Sequence, residues 1–177
     1  MKTKHLTLIL LFLTNCAIAQ VKYTVTKSTV SYQIKNMGFN TSGTFSGVQA
    51  SIMFDPAKLD ASSIVATAEV ATINSNSDMR DKHLKSDDFF DVAKYPKITI
   101  KSISLKHKSG SNYTGQFSVT IKDKTKLLEM PFTYTENGGT ATFIGTLKLK
   151  RSDFGVGGSS MMMSDDVTVA TNVEASK

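Results

Sequence analysis

The chain has 177 residues, of which 40% are hydrophobic and 20% charged, and its formal net charge is +6. Its lysines are scattered along strands and turns, so the surplus favours solubility and argues against a nucleic-acid partner. The single cysteine, Cys16, lies in the N-terminal segment, so a chain without that segment has no disulfide, catalytic thiol or thiolate-bound metal.

Lys2 and Lys4 precede an apolar run over residues 6–13, and Ala17-Ile18-Ala19 forms a small-x-small cleavage site. Residues 1–19 read as a secretory signal peptide, too short for a membrane span. Cleavage after Ala19 leaves one domain, residues 20–177, in a periplasmic or secreted location. Acylation of Cys16 as a lipoprotein is the weaker alternative, because Asn15 is bulky and polar for such a site.

Alternating apolar positions then dominate. They are Val30, Tyr32 and Ile34; Ile64, Ala66, Ala68 and Val70; Tyr113, Gly115, Phe117, Val119 and Ile121; and Leu128, Met130, Phe132 and Tyr134. Two more sets follow, Ala141 to Leu149 and Val167 to Val173. A period of two marks strands with one apolar face. With segments 23–26, 45–54 and 97–107, the pattern predicts roughly eight or nine strands. Asn137-Gly138-Gly139 and Ser109-Gly110-Ser111-Asn112 are hairpin turns. Ile98 and Ile100 are out of phase with Ile103 and Leu105, which predicts a bulge near Ser102. The architecture expected is an antiparallel barrel or sandwich.

Residues 74–94 break the pattern. Ser77 can cap a helix from Asp78, with Asp78–Lys82 and Asp81–Lys85 spaced for ion pairing. Ser86 can cap a second single turn, and Pro96 starts the next strand. A short helical crossing segment is therefore expected near residues 77–92.

Polar constellations give little chemistry. His83 with Asp81, Asp87, Asp88 and Asp91 could ligate a metal, but a lone histidine among carboxylates is more often structural. No Gly-x-Ser-x-Gly elbow is present, and Gly155, Gly157 and Gly158 lack the spacing of a nucleotide loop. The only arginines, Arg80 and Arg151, lie near Asp81 and Asp153, and arginine's planar fork could tether a crossing loop to a barrel rim. The phenylalanines and Met161, Met162 and Met163 either fill a sandwich core or line an eight-stranded barrel that holds one ligand.

Several blocks, in order, resemble the YceI-like family, also called polyisoprenoid-binding. They are VSYQIKNMGF from Val30, GTF from Gly43, RDKHLKSDDFFDVAKYPKI from Arg80, VTIKDKTK from Val119 and RSDFGVG from Arg151. The likeness covers residues 23–174, and the block from Arg80 is the specific one. Asp123 departs from a glycine common in that turn, and Met161-Met162-Met163 is unusual. The resemblance implies an all-β, lipocalin-like antiparallel barrel of about eight strands. It implies a non-enzymatic carrier for a long-chain amphipathic lipid: an isoprenoid, an isoprenoid quinone or a fatty acid derivative.

On that reading Phe39, Phe45, Phe89, Phe90, Phe117, Phe132, Phe143, Phe154 and Met161 are the cavity or mouth candidates. Arg80, Asp81, His83, Arg151 and Asp153 are the polar tethers. No cofactor, metal or transmembrane span is expected, and a homodimer is left open. Two alternatives compete: an envelope stress protein acting through protein or membrane contacts, and a lipid-modifying enzyme using the His83 cluster.

Overall fold

The computed structural model describes residues 21–177. The expected signal peptide and Cys16 lie outside the described residues. Nine strands form one antiparallel sheet: β1 (Lys22–Asn36), β2 (Phe39–Phe45), β3 (Gln49–Met53), β4 (Ser63–Glu69), β5 (Lys97–Ser109), β6 (Asn112–Ile121), β7 (Lys124–Asn137), β8 (Thr140–Lys150) and β9 (Met163–Ser176). One helix, α1 (Asp78–Lys85), crosses between β4 and β5.

The sheet closes because β1 pairs with β9 from Thr24 to Asn36. On its other edge β1 meets β3 only at Lys22 and Tyr23, and β2 at Val30–Asn36. The result is a closed eight-stranded barrel with β2 as a ninth strand outside the cycle, the lipocalin-like barrel that the resemblance implies and one of the two architectures, barrel or sandwich, that the alternation leaves open.

The period-two alternation sets which side chains face inward. On β6 the buried apolar positions are Tyr113, Gly115, Phe117, Val119 and Ile121, with Thr114 also buried out of phase, and on β8 Ala141, Phe143, Gly145 and Leu147. The phase change in β5 is a bulge in which Ile103 is skipped between the pairs of Ser102 and Ser104. Ile103 is therefore exposed, and Leu105 regains the interior. The β7–β8 turn uses Gly138 and Gly139 at φ 57° and 84°, the left-handed pair that a tight hairpin needs.

One end of the barrel is solid. Phe54 packs against Tyr113, Phe132, Tyr134 and Phe143 with ring centroids 4.7 to 6.1 Å apart, mostly in the edge-on geometry that aromatic quadrupoles favour. The Tyr23 and Tyr134 hydroxyls, 2.9 Å apart, both donate to the same oxygen of the Glu136 carboxylate, which Lys177 pairs from outside. The Lys177 ammonium, then the Tyr134 hydroxyl, hold the Glu136 carboxyl below its ordinary value of 4.5. Burial first, then the Glu136 hydrogen bond, raises the Tyr134 phenol.

A carboxyl lowered by folding contributes stability above its unfolded pKa, and the contribution is lost as pH falls through the folded value. Glu136→Gln should therefore lower the melting temperature at neutral pH. The gap to the parent should narrow as thermal melts are taken below about pH 4.5.

Candidate binding cavity

Above the aromatic floor the interior is hollow. A lower chamber of about 180 Å³ (space for the centre of a water molecule) is walled by Phe117, Phe132 and Phe143 with Met130 and Leu147. An upper chamber of about 110 Å³ lies beneath α1 and the residues after it, with Leu84, Phe89, Phe90 and Phe154 in its wall. Phe45, Ile98, Ile121, Leu149 and Val169 border both, so the chambers adjoin. Small residues keep the lower one open: Ala50, Ala66, Ala68 and Gly145 all line it. A Cβ on Gly145 would already sit 3.2 Å from the Met130 sulfur.

A lid covers the upper chamber. Ser77 caps α1 by accepting from the Arg80 N–H at 3.4 Å, as its sequence position predicts. Beyond α1, Ser86 Oγ donates to the His83 carbonyl at 2.7 Å, closing the helix rather than opening a second one. Asp91 takes φ 50° in the turn that follows. Phe90 then stands edge-on to Phe45 at 6.1 Å, and the Gly157 N–H donates to the Asp88 carbonyl at 3.0 Å.

The arginines tie the lid down, but not through the expected carboxylates. Arg80 donates to the Ser75 hydroxyl at 2.8 Å and the Ser75 carbonyl at 2.6 Å. Asp81 accepts from the Ser75 N–H and hydroxyl, so the two charges meet through one buried serine instead of touching. That hydroxyl is the main reason the Asp81 carboxyl is held below its ordinary value, ahead of the weaker Lys85 field.

Arg151 is buried, in a one-turn 3-10 helix (Arg151–Phe154) after β8. It donates to the carbonyls of Val156, Gly157, Gly158, Met163 and Ser164 at 2.6 to 3.2 Å. Its neighbour Asp153 instead lies 3.7 Å from Lys126. Carbonyl partners suit a buried guanidinium, because five N–H donors can be satisfied without desolvating a second charge.

His83 is mostly exposed, 4.0 Å from Asp88 and edge-on to the Phe89 ring at 4.8 Å. It lines neither chamber, and it braces the lid internally rather than fastening it to the barrel. No three His, Cys, Asp or Glu side chains among the described residues converge as a metal cage.

Seven of the nine aromatic and methionine candidates line a chamber: Phe45, Phe89, Phe90, Phe117, Phe132, Phe143 and Phe154. Phe39 and Met161 do not. Phe39 follows the β1–β2 turn and points to solvent, while Met161 stands on a loop crest two residues before Met163, which does reach the upper chamber. The cavity candidates leave out Tyr32, Ile34 and Met163 of the upper wall, although Met163 is named with its two neighbours as an apolar residue that could line the barrel, and the alanines of the lower one. Tyr32, Ile34, Ala66 and Ala68 were legible on apolar faces, but the space beside the alanines was not, because a small residue marks empty space only once its neighbours are known. The Tyr32 hydroxyl is buried without a hydrogen-bond partner among the described residues, and burial raises its pKa.

A closed antiparallel barrel with a hollow apolar interior and a helical lid defines a lipocalin-like binding fold. The sequence profile of the YceI-like domain matches residues 22–175, and the chain belongs to that family. A UPF0312 protein from Azotobacter vinelandii is 32% identical over 152 residues, covering 82% of this chain and 79% of the relative. One from Vibrio cholerae is 28% identical over 136 residues, covering 73% and 72%. The crystal structure of BcnA from Burkholderia cenocepacia superposes with a TM-score of 0.82 at 32% identity, covering 87% of this chain and 99% of that one. A polyisoprenoid binding domain from Saccharophagus degradans, implicated in plant cell wall breakdown, shares the fold with a TM-score of 0.63 at 13% identity, covering 88% and 97%.

Arg151→Lys keeps the charge but offers three donors to five carbonyls, so it should cost about 2–4 kcal/mol in urea unfolding. His83→Ala should change stability by less than about 0.5 kcal/mol in the same measurement, as for other exposed side chains.

Proposed function

We propose that the protein is a non-enzymatic carrier, outside the cytoplasm, for a long-chain lipid: an isoprenoid, an isoprenoid quinone or a fatty acid derivative. The observation that carries this reading is the pair of adjoining apolar chambers held open by alanine and glycine beneath a tethered lid. Each methylene moved from water into such a wall gains roughly 0.8 kcal/mol. Ten buried methylenes would thus gain roughly 8 kcal/mol before the costs of association. The polar groups at the mouth bind protein carbonyls and one another, so affinity comes from apolar area. The polyisoprenoid-binding relative supports the same ligand class.

His83 favours a carrier over a lipid-modifying enzyme. A general base must come within hydrogen-bond reach of its substrate, and His83 stands on the outer side of the lid. The proposed location is supported by the reading of residues 1–19, two lysines before an apolar run and a small-x-small site, as a signal peptide.

The test is organic extraction of purified protein followed by mass spectrometry, with uptake of the fluorescent fatty acid cis-parinaric acid by the delipidated protein. A stoichiometric long-chain lipid, or saturable uptake of the probe, is the expected result. Protein that is repeatedly empty and refuses the probe would sink the reading. Ala66→Phe, which fills the lower chamber, should weaken probe binding by roughly tenfold, a loss of about 1.4 kcal/mol.

A further inference from the structure

Four large apolar side chains stand in water on one rim of the barrel: Met37, Phe39, Met161 and Met162, each at least 65% exposed. They belong to two segments that touch. The Met37 N–H donates to the Met162 carbonyl at 2.7 Å, and Asn36 is the register partner of both Phe39 and Met163.

Neither segment is slack. Arg151 grips the carbonyls of Gly158 and Met163 on either side of the methionine crest. Ser160 Oγ accepts from the N–H groups of Met162 and Met163, both at 3.2 Å. These bonds hold the crest outward. Met37 takes φ 52° beside Gly38 at φ 80°, a turn that normally selects asparagine and glycine. A strained apolar residue at an exposed tip breaks a local rule, and such breaks concentrate at functional positions.

The size and charge of the patch identify its occupant. By the scale of a phenylalanine, four such side chains expose on the order of 500 Å², at the upper end of what monomers carry. A stable dimer needs about 800 Å² from each partner, more than two loop tips supply. Residues 21–54 contain no acid and only the bases Lys22, Lys27 and Lys35, and residues 154–164 carry no charged side chain. Asp165, the next acid along the chain, is engaged by the Ser152 N–H and hydroxyl at 2.8 and 2.7 Å, and the exposed Asp166 follows it on β9, past the crest. Apolar tips without acids, beside Lys35, suit the headgroup layer of a bilayer.

We infer that this rim is a membrane-docking surface, on which Met37, Phe39, Met161 and Met162 enter the lipid interface with Lys35 at an anionic headgroup. The inference rests on the carrier reading, since a lipid nearly insoluble in water must be collected from a bilayer. The position agrees with it: Ile34 and Met163, the inward neighbours of the two tips, line the upper chamber.

The test is co-flotation with phosphatidylcholine–phosphatidylglycerol vesicles. It compares the full chain with Phe39→Ser, with Met161→Ser/Met162→Ser and with all four positions changed to serine. The parent should float with the vesicles, and the fourfold variant should partition roughly tenfold less or weaker still. Melting temperature and cis-parinaric acid uptake from ethanol should be unchanged. Either lesser variant serves if the fourfold one folds poorly. Equal flotation of parent and variants, or none by the parent, overturns the inference. So does a concentration-dependent dimer in sedimentation that the substitutions abolish, which would make the patch a self-interface. Probe uptake without vesicle binding removes the docking surface and leaves the carrier standing; vesicle binding that needs the four residues, without uptake, removes the carrier and leaves the docking surface.

Discussion

The pairing of β1 with β9 is the interaction on which the molecule depends. Eleven register pairs join the first strand to the last, closing an open sheet into a barrel and leaving no long edge between those strands. The same pairing fixes which alternate side chains face inward, because a slip of one residue would send Tyr32 and Ile34 outward. It also brings the β1–β2 hairpin against the loop that precedes β9. The chambers, the lid anchor and the apolar rim are all consequences of that one ladder.

A hollow barrel is under strain of a thermodynamic kind, since unfilled apolar space forfeits packing contacts. The structure offsets this at its two ends. At the floor, rings and tyrosine hydroxyls converge on Glu136. At the mouth, Arg151 gathers five carbonyls. Its 3-10 turn lies where the β7–β8 ladder has ended: β8 pairs with β7 only from Thr140 to Gly145. Buried Phe154 and Val156 of that segment complete the wall that the ladder leaves. Stability sits at the ends and the middle is left free.

The fold was largely legible because strand alternation is local. The faces of β6, β7 and β8, the β5 bulge and the Ser77 cap could all be read from neighbouring residues. The partners of the charged groups could not. Arg80 and Asp81 are adjacent in sequence but meet only through Ser75, and Arg151 binds carbonyls that belong to no particular residue type. Of the candidate site, the large aromatics were legible as apolar, yet Phe39 and Met161 share that property and lie outside. Their fate turns on the two-residue turn at Met37–Gly38 and on a loop crest, and neither has a period to read. The emptiness of the lower chamber was least legible, because it depends on Ala50, Ala66, Ala68 and Gly145 coming together from three strands.

The placement of the aromatic hydroxyls has an optical consequence. The chain has five tyrosines and no tryptophan, so its ultraviolet emission comes from phenol alone. Tyr23 and Tyr134 are tied to the Glu136 carboxylate, an acceptor that draws on the phenolic proton and damps their emission. Tyr32 stands apart, in the upper chamber wall with its hydroxyl unbonded. Tyr95 and Tyr113 emit as well, but of the five only Tyr32 lines the upper chamber, so a change in emission on filling that chamber is its report, with no dye attached.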